Sequence, residues 1–172
     1  LINHQGDTLK LGNVYLSNNP YNGGTHLPDL TAITPVFDEE GKQIIFYVAS
    51  RGHQADIGGI TPGSMPPHST TAEEEGIIFD NFLLVEQGYF REIPLRQLLL
   101  NHPYPARNPD QNIADLKAQI AANKRGVQEL HKMVAQYGIE TVQSYMQFVQ
   151  DNAEESVRKV IDVLRDGDFT YE

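Results

Sequence analysis

The sequence predicts an α+β fold: mainly antiparallel strands and long ordered loops, followed by a long antiparallel helical hairpin. Three observations predict it. All ten prolines lie between Pro20 and Pro109, and only three of the fourteen glycines follow that point. Before it, short apolar runs are punctuated by turn residues. After it, apolar residues recur in steps of three and four. The change divides the chain into a β-rich portion, residues 1–107, and a helical portion, residues 108–172.

In chain order, Val14-Tyr15-Leu16-Ser17 reads as a short strand running into the loop Asn18–Asp29. Leu30–Phe37 is β-rich, and Pro35 within it marks an edge or a bulge because it cannot donate to a strand ladder. Asp38-Glu39-Glu40-Gly41 has the chemistry of a tight turn. Gln43–Ser50 carries Ile44-Ile45-Phe46-Tyr47-Val48, a nearly continuous apolar run suited to a buried central strand. Ile60–Glu75, with three prolines, is a long connection; a lid or substrate loop and a plain surface connection both remain open for it. A second hairpin is predicted over Phe82–Ile93, turning at Glu86-Gln87-Gly88, and a short helix over Leu95–Leu100.

From Asn108 the pattern is helical. Asn108 can cap, Pro109 fits the first helical position, and Gln111 stands where a capping-box partner belongs. Ile113, Leu116, Ile120, Val127, Leu130, Val134 and Tyr137 follow a heptad-like seam, with Asn123 as its polar interruption. Gly138 suits a helix stop. A second helix uses Val142, Met146, Val149, Ala153, Val157, Val160 and Leu164 and is expected to end near Gly167. Packing or subunit contact is the role this pattern gives the two helices, with Asn123 setting register or bonding a partner.

Composition narrows the function classes. The 172 residues suffice for one domain with a core. A net charge of −10 argues against a nucleic-acid backbone as partner. No apolar run approaches the roughly 20 residues needed to cross a bilayer. Without cysteine there is neither a disulfide framework nor a thiolate metal site. The chain starts at Leu1 without an apolar leader, so it is expected to be a piece of a longer, cytoplasmic protein.

The chemistry concentrates in two loops. NNPYNGGTHLPD, from Asn18 to Asp29, and RGHQADIGG, from Arg51 to Gly59, each hold a histidine followed three residues later by an aspartate. The midpoint of His26 and His53 falls between Glu39 and Glu40, in the predicted turn, so an in-register hairpin sets His26 opposite His53. His26, Asp29, His53 and Asp56 would then converge as a neutral-imidazole and carboxylate set suited to Mn²⁺, Fe²⁺ or Zn²⁺. The competing reading is that each aspartate caps its own loop and the histidines only hydrogen-bond. His68, in the proline-rich loop, is a candidate substrate contact or a solvated loop residue. His102 and His131 read as loop and helix-surface residues, and His4 lies near the chain start. Arg51 and Arg107 are candidates to clamp a carboxylate, with a structural contact favoured for Arg107. Gly58-Gly59 reads as close-packed backbone, and no Walker or Rossmann phosphate loop is present.

At these motifs the sequence resembles the hydantoinase B/oxoprolinase family. The strings that carry it are NNPYNGGTHLPD, RGHQADIGGITPGSMPP, EEGIIFDNF and YPARNPDQNIADLKAQIAANKRGVQEL, collinear over nearly the whole chain. The family includes N-methylhydantoinase B subunits, the C-terminal half of 5-oxoprolinases and subunits of acetone and acetophenone carboxylases. The resemblance implies ATP-dependent chemistry on a carbonyl compound, with ATP bound by a partner A component, fused or separate. It maps the family's metal-ligand motifs onto His26, Asp29, His53 and Asp56, manganese being the expected ion and zinc or iron the alternatives. This chain departs from the family pattern at Asn19, which follows Asn18 where the family reads Asn-Asp-Pro, and at Asn13, where the family reads Gly-Asp.

The expectation is therefore part of an ATP-dependent cyclic-amide hydrolase that opens 5-oxoproline or hydantoin rings. His53 and Asp56 are its catalytic candidates, and Asn19, Arg51 and His68 its substrate contacts. A subunit of an ATP-dependent ketone carboxylase and a non-catalytic assembly module are the alternatives. A small-molecule substrate, an A component and an oligomeric assembly are the expected partners, with neither nucleic acid nor membrane. The piece alone is expected to be inactive.

Overall fold

The computed structural model describes residues 6–63, 65–168 and 170; His4 lies outside them. Among these residues five strands form one antiparallel sheet: β1 (Val14–Ser17), β2 (Asp29–Phe37), β3 (Ile44–His53), β4 (Phe82–Glu86) and β5 (Tyr89–Phe90). Their spatial order is β3-β2-β1-β4-β5. Among the described residues there are four α-helices: α1 (Ala72–Glu75), α2 (Glu92–Leu100), α3 (Pro109–Tyr137) and α4 (Ile139–Asp162). The fold is α+β, as the sequence predicts.

The turns obey their local chemistry. Gln87 and Gly88 both have positive φ, 47° and 89°, the signature of the two-residue hairpin turn that matches strand twist. Asn13 Oδ1 accepts the Gln87 N–H at 2.9 Å, while Asn13 Nδ2 donates to the Tyr15 hydroxyl. An aspartate at position 13 lacks that second donor, so Asn13 acts here as a hairpin brace. Helix α2 starts at Glu92, earlier than Leu95, because Pro94 falls in the first turn, where its missing N–H has no intrahelical partner to lose. Asn108 Oδ1 accepts the Gln111 N–H at the start of α3, and Gly138 ends that helix at φ 82°.

One expectation about the sheet is corrected. β3 is an edge strand, not a central one, and its residues alternate between half-buried and exposed from Phe46 to His53. A short apolar run does not by itself separate a buried strand from an edge strand covered on one face. The central position belongs to β1; β2 is interior, and Pro35 is accommodated there next to a register shift between Val36 and Phe37.

Contacts group the chain into two compact units, Leu1–Val127 and Gln128–Glu172. The core of the first joins Leu16, Leu30 and Leu84 of the sheet to Ile57 and Phe79 of the connections, Leu95 and Leu99 of α2, and Ile113 and Leu116 of α3. The first turns of the α3 seam are thus spent on the sheet, which is why that part of the helix belongs to the first unit. In the second unit Val142 is buried, whereas Val149 and Val160 of the α4 seam are 69% and 62% exposed. Helices α3 and α4 do meet at Gly138. The apolar stripe of α4 is not buried along its length.

The described residues of the connection 60–75 carry more local hydrogen bonding than its composition suggests. Ile60 donates to the Glu74 carbonyl at 2.8 Å, closing the loop at its base. Thr71 and Glu74 form a reciprocal capping box around α1, and Ser69 bridges Pro66 and Glu75. The backbone N–H and hydroxyl of Thr70 hold the Glu74 carboxyl below its ordinary value.

Candidate metal centre

Three of the predicted ligands come together on the open face of the β2–β3 ribbon. His26, Asp29 and His53 each offer a donor atom, and these atoms all lie within 4.8 Å of one another. The ladder pairs Asp29 with His53, centred on Gly41, so His53 faces Asp29 and not His26. The register differs from the expected one because the turn is longer. Asp38 N–H donates to the Gln43 carbonyl and Asp38 Oδ1 accepts the Lys42 N–H, which encloses six residues. His26 reaches the site by a different route: its carbonyl accepts the Asp29 N–H at 2.9 Å, a β-turn that folds the ring back. The two imidazoles stack at 5.4 Å between centroids and 19° between planes.

Asp29 Oδ1 lies 2.9 Å from His53 Nδ1. With the proton on Nδ1 this is a hydrogen bond that orients the ring; binding of one ion by both residues would replace it, the deprotonated Nδ1 and the carboxylate sharing the ion. Two donors on one ion with bonds of about 2.0–2.2 Å lie at most about 4.4 Å apart. The cluster therefore reaches ligating geometry by contracting a few tenths of an ångström, within the freedom of half-exposed side chains. Two imidazoles and one carboxylate with open positions fit a divalent ion of the Mn, Fe or Zn type.

Asp56, the fourth expected ligand and a catalytic candidate, is not grouped with them. Its carboxylate accepts the Gly58 N–H at 3.0 Å, the Arg107 N–H at 2.8 Å and Arg107 Nη1 at 2.9 Å. A cation and two amides satisfy it, so Asp56 pins the 54–59 segment to the start of α3. Arg107 also donates to the Gly59 carbonyl, which makes it a structural residue. Gly58 and Gly59, both at positive φ, sit against the carbonyls of Tyr104 and Glu75, where a Cβ would collide. Asn19 caps the 3-10 turn Pro20–Asn22, its Oδ1 accepting the Tyr21 N–H. His68 occupies an exposed turn outside the cluster. Arg51 lies on the same face as His53 and donates to Thr31 and Thr25. His102 is engaged with the Tyr104 backbone. A cleft of about 740 Å³ beside Ile77, Phe82, Leu98 and His102 shares no residue with the cluster.

The residues that hold the site were not singled out by sequence reasoning, except Asn123. Asn18 is 1% exposed. Its Nδ2 donates to the carbonyls of Leu27 and Ile77, and its Oδ1 accepts the Phe79 N–H. It anchors the first loop to the 77–79 segment, and Gly24 lies so close to the Asn18 carbonyl that no side chain fits there. On the opposite face of the ribbon, Gln119 donates to the carbonyls of Leu30 and Ser50, and Asn123 to the Ala32 carbonyl and the Thr34 hydroxyl. Asn112 donates to Gln54 Oε1 and the Asp56 carbonyl. The available signal was spacing: Asn112, Leu116, Gln119 and Asn123 form one helical stripe in which three of four members are amides.

A mixed sheet-and-helix domain that presents a two-histidine, one-carboxylate cluster on an open strand pair is the class the geometry defines. The chain belongs to the hydantoinase B/oxoprolinase family, whose pattern it matches over residues 1–172. It is 47% identical over 171 residues to 5-oxoprolinase 1 of Arabidopsis thaliana, covering 93% of this chain and 13% of that protein. The ATP-dependent caprolactamase of Pseudomonas jessenii is similar in structure, with a TM-score of 0.78 and 29% identity over 96% of this chain and 28% of that one. Nucleotide-free acetone carboxylase shares the fold at a TM-score of 0.69 and 21% identity, covering 81% of this chain and 18% of that one. The chain therefore spans a small part of the length of the proteins it resembles. No helix among the described residues is long and apolar enough to cross a membrane.

Proposed function

We propose that this region is the metal-bearing part of an ATP-dependent cyclic-amide hydrolase that opens a lactam ring of the 5-oxoproline or hydantoin type. The observation that carries the reading is the convergence of His26, Asp29 and His53, in a chain similar to a 5-oxoprolinase and to a caprolactamase. In the overall reaction water cleaves the ring C–N bond, coupled to ATP hydrolysis at a partner A component that is fused or separate. The three donors hold a divalent ion, manganese first and zinc or iron as alternatives. When bound, such an ion polarises a carbonyl or makes hydroxide available near neutral pH. Before an ion binds, Asp29 orients the His53 ring, and His26 stacks on that ring. The assembly is placed in the cytoplasm as an oligomer, and the 172-residue piece alone is expected to show no turnover.

The test uses the full-length protein with its A component. His26→Ala and His53→Ala are expected to lose stoichiometric metal and ATP-dependent lactam hydrolysis together. Retention of both would return the region to an assembly module. Bicarbonate-dependent ATP turnover on a ketone, without lactam hydrolysis, would replace the hydrolase by a carboxylase.

A further inference from the structure

Four of the seven arginines have carboxylate partners. Arg91 meets Glu86, Arg96 meets Glu92 and Asp110, Arg107 meets Asp56, and Arg158 meets Glu154. Arg51 is different. Its described partners are two hydroxyls: Nε donates to Thr31 Oγ1 at 3.0 Å and Nη1 to Thr25 Oγ1 at 3.4 Å. Two of the five guanidinium N–H donors are used in this way, and the other three meet no acceptor among the described residues. Neutral acceptors hold the group in place without neutralising it.

Its position repeats the geometry of the metal centre. Thr25 precedes His26, Thr31 lies two residues beyond Asp29, and Arg51 lies two residues before His53. The ladder pairs Arg51 with Thr31 next to the Asp29–His53 pair on the same face. Alternate residues of a strand are spaced about 6.6–6.8 Å apart. The guanidinium is thus tied by two hydroxyls whose residues flank His26 and Asp29 in the sequence.

We propose that Arg51 is a specificity-determining residue of this site, binding a carboxylate carried by the substrate. The site then takes cyclic amides that bear a carboxylate beside the ring amide in preference to bare lactams. This rests on the lactam-hydrolase reading above. A planar guanidinium matches a carboxylate by paired hydrogen bonds, and the two threonines preset its plane. The His26–Asp29–His53 cluster takes the reacting end of the ring and Arg51 the carboxylate, so two attachment points fix the ring orientation.

The test compares 5-oxoproline with 2-pyrrolidinone, the same five-membered lactam without the carboxylate, in the full-length protein with its A component and ATP. The wild-type protein is expected to prefer 5-oxoproline. In Arg51→Ala the ratio of kcat/KM for 5-oxoproline over 2-pyrrolidinone is expected to fall about 10- to 100-fold, the range for losing a hydrogen bond to a charged group. The loss is expected mainly in the KM for 5-oxoproline, with partial recovery in Arg51→Lys. A wild type without preference, an unchanged ratio, or an equal decline on both substrates would overturn the role of Arg51. If His53→Ala still abolishes hydrolysis in that case, the hydrolase reading stands alone. Wild-type hydrolysis of neither lactam removes the role of Arg51, and failure on a hydantoin as well removes the hydrolase reading with it.

Discussion

The two faces of the β2–β3 ribbon, built from alternating residues of the same strands, differ in what they do. Leu30, Ala32, Ser50 and Gly52 lie on the covered face, where Gln119 and Asn123 of α3 bind strand carbonyls. Asp29, Thr31, Arg51 and His53 lie on the other, half-buried or exposed, and their side chains join one another and the Thr25–His26 segment. Because strand side chains alternate at period two, stability and chemistry are separated at the resolution of a single residue. Buried amide donors make the covered face stiff. That stiffness holds exposed donors in place on the open one, which lacks a packed environment of its own.

The comparison breaks most visibly at Asn123. Asn123→Ala leaves strand carbonyls and the Thr34 hydroxyl without their buried donor and is expected to lower stability by about 2–4 kcal/mol. His53→Ala, on the open face, is expected to stay within about 1 kcal/mol of the parent, since it removes one half-exposed pair. Urea denaturation of both variants checks the contrast, and equal losses would dissolve it. Neighbouring positions make a finer test. A Cβ at Gly52 would lie 3.2 Å from the Gln119 carboxamide, so Gly52→Val is expected to cost about 1–3 kcal/mol by overpacking. Ala49→Val, on the exposed face, is expected to be neutral or slightly stabilising in the same assay.

Asp56 sharpens the boundary of the site. Asp56→Asn is expected to lower stability by about 1–2 kcal/mol through its weakened bonds to Arg107, while metal affinity measured by calorimetry stays unchanged. A loss of affinity like that of His26→Ala would restore Asp56 to the ligand set. The smallest effect expected is in acid. Hydrogen bonds from Lys117, then Arg96, hold the Glu92 carboxyl below its ordinary value of 4.5. A carboxyl with a lowered folded value contributes stability that is complete above the ordinary value and lost as pH falls through the folded one. Glu92→Gln is therefore expected to make the decline of melting temperature below pH 4.5 slightly shallower, without changing its slope near neutrality.

Much of this arrangement was legible in the residues. The loss of proline after Pro109 marked the start of α3, Gln87-Gly88 marked a hairpin, and the repeated His-x-x-Asp spacing marked where to look. The ribbon register was not legible, because an acidic turn with one glycine closes at several lengths and only the Asp38 bonds select six residues. The pairing of Asp56 was not legible either, because its partner, Arg107, is 51 positions away, beyond any spacing argument. Asn18 went unread because a buried loop asparagine becomes recognisable only once the carbonyls it serves are in place.

The Asp29–His53 contact joins residues 24 apart in sequence, and His26 adds a third attachment from the loop before β2. A ligand that grips all three is a removable cross-link at the mouth of the hairpin. Such a ligand binds the folded chain and finds no preformed site in the unfolded one, so occupancy and folding are linked. At a free concentration one hundred times its Kd, the folded state gains about 2.7 kcal/mol. Thermal melting in the presence of manganese, reversed by a chelator, then reads the site directly, with neither substrate nor ATP in the tube.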